Sequence, residues 1–314
     1  MQERNLGTSG LRVSVVGIGC NNFGGRIDTA ATGRVIDKAI DLGVTLFDTA
    51  DMYSNRGGSE TAMGEVLKGA KRQKIVLATK CGMQMDEAGK LKGASRRYIM
   101  SALDGSLKRL QTDYIDLYQV HQVDPLTPME ETLRTLDDLV RAGKVRYVGL
   151  SNHPAWMVAA AQETARRCNL NAFVSCQDEY SLLIRDADRK LMPMMSRYGL
   201  GLLPYFPLAC GLLTGKYTRG AMPQGARLTE TKRYQDKYLN ERNWRIVDEL
   251  TGFAKKRGHT LLDLAFSWLL ARPNVGSVIA GATSPEQVEA NVKAASWQLT
   301  AEDLAEVDRI TKAA

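Results

Sequence analysis

The sequence lacks the features that mark disulfide-rich, zinc-binding and membrane proteins. Its five cysteines are scattered without a C-x-x-C pair, and it contains only three histidines. We therefore expect no disulfide framework and no metal site, and a reducing compartment such as the cytoplasm fits the composition better. No apolar run approaches the roughly 18 residues of a membrane span, and the polar residues 1–5 lead into no signal-peptide core. A membrane partner is not expected.

Long runs of one charge are also missing. The formal charge is +7, from 42 Lys and Arg against 35 Asp and Glu, and the basic residues occur in short groups such as Arg96-Arg97. No basic stripe is interleaved with aromatic residues, so nucleic acid is not an expected partner. A modest positive charge instead suits attraction of an anionic small molecule.

Two common nucleotide-binding motifs are incomplete. Gly17 and Gly19 begin like a dinucleotide fingerprint, but Asn22 stands where the third glycine belongs. The run 211–216 (GLLTGK) is one residue short of a phosphate-binding loop, and Tyr217 replaces the Ser or Thr that would follow. These departures exclude a Rossmann domain and a P-loop enzyme.

What the sequence does contain is one unit that recurs eight times: a short β-branched run followed by an amphipathic helix. The expected strands are residues 13–19, 44–48, 75–79, 115–120, 145–150, 172–176, 200–205 and 277–280. Thr127-Pro128-Met129-Glu130 has the pattern of a helix-starting capping box, and Gly43, Gly143 and Gly258 indicate helix ends. Strict alternation of strand and helix predicts a parallel sheet covered by helices.

The number of units distinguishes between the two parallel architectures. Eight units in 314 residues favour a closed barrel over an open sheet. The expected fold is a single-domain (β/α)8 TIM barrel over residues 1–314, with an N-terminal β-hairpin cap in which residues 4–10 close the bottom. The longest irregular stretch, residues 207–240, is expected to be functional, because long loops in compact domains usually are.

Polar residues follow the expected strands and should converge, since active sites of such barrels form at the C-terminal ends of the strands. Asp48, Tyr53, Lys80 and His121 follow strands two to four. Lys80 near Tyr53 should lower the tyrosine pKa, with Asp48 orienting the lysine. Tyr53 could then protonate a carbonyl oxygen that His121 also contacts. The group has no metal or nucleophile, so reduction requires hydride from a nicotinamide cofactor.

Five motifs in order resemble the aldo-keto reductase family over essentially the whole chain. They are residues 47–53 (FDTADMY), 59–60 (SE), 78–80 (ATK), 116–121 (DLYQVH) and 143–152 (GKVRYVGLSN). Residues 207–217 (PLACGLLTGKY) are most similar to bacterial reductases of the potassium-channel β-subunit-like branch. The resemblance implies reduction of aldehydes or ketones with NADPH.

The resemblance also implies residue roles. Tyr53 is the implied general acid, tuned by Lys80 and Asp48, and His121 orients the substrate. The implied cofactor contacts are Ser151, Asn152 and Gln177 at the nicotinamide carboxamide, Tyr205 on its ring, Leu208, Gly211, Lys216 and Arg227 at the pyrophosphate, and Gly281, Thr283, Gln287 and Asn291 around the adenosine. From their loops at the catalytic face, the residues expected to contact the small carbonyl substrate are Asn22, Phe23, Met52 and Phe206.

Several alternatives stay open. Many family members place Lys or Arg just after the last strand or at the position of Gln287 to hold the 2′-phosphate of NADP; here both are uncharged. NADPH is therefore preferred over NADH on the branch resemblance, Lys216 and Arg227. A second function is a regulatory subunit that senses redox state through bound NADPH, and a weaker third is a sugar-phosphate isomerase or aldolase. No heptad pattern points to a particular oligomer.

Overall fold

Strands and helices alternate along residues 1–312, the part of the chain that the computed structural model describes. The strands are β1 (Glu3–Asn5), β2 (Arg12–Ser14), β3 (Val16–Gly19), β4 (Leu46–Asp48), β5 (Val76–Cys81), β6 (Ile115–Val120), β7 (Val145–Ser151), β8 (Ser175–Gln177), β9 (Gly201–Leu202) and β10 (Val278–Gly281). The helices are α1 (Thr29–Asp41), α2 (Tyr53–Val66), α3 (Ala70–Gln73), α4 (Arg96–Leu110), α5 (Met129–Arg141), α6 (Ala155–Arg167), α7 (Leu191–Tyr198), α8 (Arg227–Glu230), α9 (Lys232–Tyr238), α10 (Glu241–Lys256), α11 (Leu261–Leu270), α12 (Pro285–Ala294) and α13 (Ala301–Lys312). Short 3-10 turns lie at Asp186–Asp188 and Ala209–Thr214.

Strands β3 to β10 form one parallel sheet in the order β10-β3-β4-β5-β6-β7-β8-β9. The two ends of this order also meet. The amide of Leu202 in β9 donates to the carbonyl of Asn274 over 2.6 Å, and the amide of Gly276 donates to the carbonyl of Leu202 over 2.9 Å. These bonds join β9 to the residues before β10, so the sheet curls into a barrel and the predicted (β/α)8 fold is confirmed.

The N-terminal hairpin predicted as a cap is present. Strands β1 and β2 pair antiparallel, and the buried side chains Leu6 and Val13 pack with Leu46, Leu117 and Leu203 from the barrel strands. Burying apolar side chains at this end removes them from water and fills the bottom of the barrel. The polar residues that are expected to form the active site must therefore lie at the opposite end of the barrel.

Residues 13–19 form two strands, whereas one was expected. Strand β2 ends at Ser14 and β3 begins at Val16. The Ser14 hydroxyl donates to the carbonyl of Val16 over 2.6 Å and accepts from the amide of Thr45 over 2.8 Å. Because the Ser14 side chain bonds to these main-chain groups, strand hydrogen bonding is interrupted between β2 and β3, where the chain passes from the hairpin to the barrel.

The predicted helix ends are confirmed more often than the helix starts. Gly43, Gly143 and Gly258 all have φ between +73° and +77°, the left-handed conformation expected after a helix. The capping box at Thr127 is wrong: the Thr127 hydroxyl donates to Asp124 over 2.7 Å, and helix α5 begins only at Met129. The stretch 207–240 is not uniformly irregular, since it contains α8, α9 and the second 3-10 turn.

The C-terminal helix α13 is fastened to the barrel through Asp308. Its carboxylate accepts from Arg185 over 2.8 Å and from Arg272 over 3.0 Å, and both arginine side chains are less than a fifth exposed. Asp308→Asn should lower the free energy of unfolding by about 1–3 kcal/mol in denaturant titrations near neutral pH. The matched control is Glu306→Gln, which breaks the exposed pair with Arg309 and should leave the free energy of unfolding almost unchanged.

The effect of Asp308→Asn should also depend on pH. Burial raises the pKa of Asp308, but Arg185 and Arg272 outweigh burial and hold it below its ordinary value. A carboxyl group whose pKa is lowered on folding contributes stability above its unfolded pKa, and this is lost as pH falls through the folded pKa. The difference between wild type and variant should therefore shrink below about pH 4; a constant difference would contradict the ion-pair explanation.

Candidate active site

Four polar residues meet where β4, β5 and β6 end. Asp48 is the last residue of β4, Lys80 lies near the end of β5, and His121 directly follows β6. Tyr53 opens α2 after a short turn from β4. The predicted convergence of these four side chains at the C-terminal ends of the strands follows from the barrel topology.

Lys80 is the centre of the group and is fully buried. Its Nζ donates to Asp48 Oδ2 over 2.7 Å and to the carbonyl of Thr49 over 2.7 Å. A third, longer contact of 3.4 Å reaches the hydroxyl of Tyr53. Three oxygen acceptors around one ammonium match its three donors, so the lysine is held in one orientation.

The second carboxylate oxygen of Asp48 is also occupied. Gln119 and Gln177 donate to Asp48 Oδ1 through their side-chain amides, over 3.1 and 2.9 Å. Asp48 is 3% exposed, and a buried carboxylate is tolerated when hydrogen bonds and a counter-ion compensate for lost water. Asp48 is therefore rigidly placed for holding Lys80.

The pKa of Tyr53 changes in the direction opposite to the one predicted. Burial raises it, and the nearby Lys80 ammonium only partly opposes that increase. Burial alone would lower the pKa of Lys80, but Asp48 and Tyr53 outweigh it and raise the value. Before any ligand enters, Tyr53 is a protonated phenol beside a charged lysine, which is the form that can donate a proton.

His121 is an uncharged ring next to Tyr53. It is 8% exposed, and burial together with Lys80 lowers its pKa to about 3. The two rings lie edge to face with centroids 5.8 Å apart. Its Nδ1 is buried and has no hydrogen-bond partner within the described residues. A neutral imidazole here can donate a hydrogen bond without competing with Tyr53 as an acid.

A second polar group lies at the ends of β7 and β8. The Ser151 hydroxyl donates to the carbonyl of Gln177 over 2.7 Å, and the Asn152 amide group donates to the carbonyl of His121 over 2.9 Å. The hydroxyl of Tyr205 donates to Asn152 Oδ1 over 2.8 Å. Asn152 has φ +59°, a left-handed conformation that asparagine tolerates better than most residues. These bonds join the second group to the first.

Basic side chains gather where residues 207–240 cross the barrel mouth. Lys216 has no carboxylate partner within the described residues. Burial, followed by the charges of Arg26 and Arg227, lowers its pKa. Arg227 donates to Asn22 Oδ1 over 2.9 Å, which ties this segment to the loop after β3. Cations that repel one another in this way are suited to an anionic group.

The remaining expected cofactor residues lie in the segment after β9, at or just after the end of β10, and in α12. Leu208 is half-buried at the start of the 3-10 turn, and Gly211, with φ +100°, has no side chain to crowd the Lys216 stem. Gly281 ends β10 and is exposed. The Thr283 amide donates to Gln287 Oε1 over 2.8 Å. Asn291 of α12 is 5% exposed.

Of the four residues expected at the substrate wall, the structure leaves two partly open. Met52 and Phe206 are half-buried, and the Phe206 ring lies edge to face against Tyr205 at 5.3 Å. Asn22 is 8% exposed and is occupied by its bond with Arg227. Phe23 is fully buried among the apolar side chains of the core, so its ring is closed to a ligand in this structure.

The architecture and this cluster agree with a comparison against known protein families. The model of the aldo/keto reductase family matches residues 15–312. The chain belongs to the aldo/keto reductase family. Since its relatives include named oxidoreductases, this aldo/keto reductase is an oxidoreductase.

Three relatives illustrate the range of names in the family. A probable voltage-gated potassium channel subunit beta of Oryza sativa subsp. japonica is 38% identical, covering 94% of this chain and 91% of the relative. An uncharacterized oxidoreductase of Bacillus subtilis is 36% identical, covering 97% and 94%. L-glyceraldehyde 3-phosphate reductase of Escherichia coli K12 is also 36% identical, covering 98% and 92%. Within residues 1–312, no helix is both long and apolar enough to cross a membrane.

Three residues of this aldo/keto reductase site were not anticipated. Gln119 could have been found, because strand alternation places it on the same side as His121, two residues later. Arg26 lies in a glycine-rich loop that no pattern ties to the barrel mouth. Tyr234, whose ring meets Phe206 at 5.4 Å, lies in α9, within the stretch that was expected to be irregular.

Proposed function

We propose that this aldo/keto reductase reduces aldehydes or ketones to alcohols with a nicotinamide cofactor, and that Tyr53 supplies the proton. One observation carries the proposal. The Lys80 ammonium lies 2.7 Å from Asp48 and 3.4 Å from the Tyr53 hydroxyl, with the His121 ring beside that tyrosine. A phenol next to a fixed cation can release its proton to a carbonyl oxygen, because the cation stabilises the phenolate that remains.

The chain's own residues have distinct tasks in this reaction. Tyr53 donates its hydroxyl proton to the carbonyl oxygen, and the neutral His121 donates a hydrogen bond to the same oxygen. Asp48 and the Thr49 carbonyl hold Lys80 in place while negative charge develops on Tyr53. A nicotinamide cofactor, when bound, would supply the hydride that reaches the carbonyl carbon.

The residues around the mouth fit such a cofactor. Ser151, Asn152 and Gln177 offer amide and hydroxyl groups to a carboxamide, and Tyr205 would lie against its ring. Leu208, Gly211, Lys216 and Arg227 would face the pyrophosphate. Gly281, Thr283, Gln287 and Asn291 would surround the adenosine. Lys216 and Arg227, which pair with no carboxylate among the described residues, leave positive charge at the mouth, and this charge attracts NADPH, with its extra phosphate, more strongly than NADH.

The cation cluster gives a direct test of cofactor binding. Lys216→Ala combined with Arg227→Ala should raise the Kd for NADPH by at least about 10²-fold, since each charge-assisted contact contributes about 1.5–3 kcal/mol. Titration of cofactor fluorescence would measure it, with kcat at saturating cofactor changing much less. Arg219→Ala is the matched control, because that arginine lies in the same segment and pairs with Glu241. Unchanged affinity in the double variant would refute the placement.

The first experiment on function is an absorbance assay of NADPH and NADH oxidation with aliphatic, aromatic and dicarbonyl aldehydes. One relative is named L-glyceraldehyde 3-phosphate reductase, so small phosphorylated aldehydes belong in the panel. Turnover that prefers NADPH would support the proposed reductase. Tight nucleotide binding without turnover across the panel would favour the alternative, a redox-sensing regulatory subunit, to which the relatives named as potassium channel subunits point.

A further inference from the structure

Asp51 is a buried residue of the turn that connects β4 to Tyr53 at the start of α2. It is 1% exposed, and its amide donates to the carbonyl of Lys80 over 3.1 Å, which fastens the turn to β5. Neither carboxyl oxygen has a hydrogen bond of good geometry within the described residues. Buried polar groups nearly always have partners, so an unpartnered carboxyl group two residues before the proposed proton donor requires an explanation.

The groups that face Asp51 leave it without a counter-ion. They are Glu60 on α2, Tyr98 and Arg109 on α4, Lys80 and Cys81 on β5, Tyr118 on β6, and the amide of Met52. The two cations among them are already paired. Arg109 Nε donates to the fully buried Glu60 over 2.8 Å, and Lys80 donates to Asp48.

The three buried carboxyl groups, of Asp48, Asp51 and Glu60, therefore have only two cations between them. Asp51 is the one without a cationic partner. An unpaired carboxylate in a dry site is costly, and binding a proton removes the cost. In agreement with this, burial and the neighbouring Glu60 raise the pKa of Asp51 to about 7, although Arg109 opposes them.

The residues of α2 that directly follow Tyr53 are not helical but continue this turn in a strained conformation. Ser54, Asn55 and Arg56 have φ of 53°, 59° and 63°, a left-handed conformation that is unfavourable for three successive residues with side chains. At Gly57, an added Cβ would lie 2.6 Å from Arg109 Cδ, so the turn is pressed against α4. A strained segment persists only while its surroundings hold it, and it relaxes when an anchor weakens.

We propose that Asp51 is a positioning residue that keeps Tyr53 beside Lys80 only while its own carboxyl group carries a proton. When Asp51 loses its proton, its carboxylate repels that of Glu60, and among the described residues that face it no cation is free to pair with it. The strained turn then moves away from β5, which separates the two carboxylates. Tyr53 moves with the turn and away from Lys80. The proposal rests on Tyr53 being the proton donor of the proposed function.

The decisive variant is Asp51→Asn, which keeps the shape of the protonated acid but cannot ionise. We expect the wild-type kcat to fall about 30-fold between pH 6 and pH 8.5, as one group with a pKa of about 7 requires, while the variant keeps its pH 6 value. The Kd for NADPH should stay equal in the two proteins. Asp178, whose pKa burial also raises to about 7, supplies the control: Asp178→Asn should retain the wild-type pH profile.

Thermal unfolding without substrate tests Asp51 independently of catalysis. Because the folded pKa lies above the unfolded one, wild type loses stability relative to Asp51→Asn as pH rises from about 4 to 7. The Tm advantage of the variant should grow by at least about 3 °C between pH 4 and pH 8. A Tm difference between the two proteins that does not change with pH would overturn the proposal. So would identical pH profiles of kcat in the two proteins when the Tm difference does grow. Full turnover in Tyr53→Phe would instead refute the proposed function, whatever the Tm values show.

Discussion

Tyr53→Phe should lower the kcat for carbonyl reduction by about 10²-fold or more, the low end of what general acid catalysis contributes. The variant loses the one hydroxyl that lies 3.4 Å from Lys80, and it keeps the ring that meets His121 edge to face. Single-turnover measurement of NADPH oxidation would isolate the chemical step. The Kd for NADPH should change little, because this hydroxyl makes no contact with the second polar group.

A matched tyrosine separates loss of the proton from loss of any hydroxyl group. Tyr198 lies at the end of α7, where its hydroxyl donates to Glu163 over 3.1 Å. Tyr198→Phe removes the same atom at a site remote from the barrel mouth, and its kcat should equal that of wild type. Wild-type turnover in Tyr53→Phe would remove this residue from the mechanism.

Lys80→Met should have the largest combined effect on activity and stability. It leaves Asp48 buried without its cation, and breaking a buried ion pair from one side costs about 3–5 kcal/mol of unfolding free energy. The developing phenolate also loses its fixed positive charge, so kcat should fall by about 10²–10³-fold, as when a preorganised electrostatic donor is removed. Denaturant unfolding and steady-state kinetics would measure the two losses separately.

The double variant Asp48→Asn/Lys80→Met distinguishes the two losses. Removing both charges eliminates the unpaired carboxylate, so most of the lost stability should return. The activity should not return, because Tyr53 still lacks its cation. Recovery of turnover in the double variant would show that Lys80 matters for structure alone.

The barrel itself was predictable because its strands and helix ends are determined by short, local stretches of sequence. Strand β6 was predicted to the residue, and Gly43 and Gly143 adopt the left-handed conformation that their positions indicated. The interruption at Ser14 was not predictable, since it depends on a hydrogen bond to Thr45, 31 residues away. Thr127 was wrong for a different, local reason: its hydroxyl donates to Asp124, three residues earlier, a competing partner that the capping pattern does not reveal.

The candidate site was predictable in its membership but not in its electrostatics. Barrel topology alone brings Asp48, Lys80 and His121 to one end. The pKa of Tyr53 was predicted in the wrong direction, because a sequence indicates which charges are near but not how completely a phenol is removed from water. That Asp51 lacks a counter-ion was not predictable either. It depends on the folded geometry, in which Lys80 pairs with Asp48 and Arg109 pairs with Glu60.

The hairpin at the bottom of the barrel also has a consequence for how the chain is made. The Arg4 side chain donates to the carbonyls of Leu270 and Val275, which lie 266 and 271 residues further along the chain. During synthesis on the ribosome, Arg4 cannot meet these partners until residues 270–275 have emerged. Completion of the barrel is thus a late, long-range event, and slow refolding limited by closure of the two ends is expected.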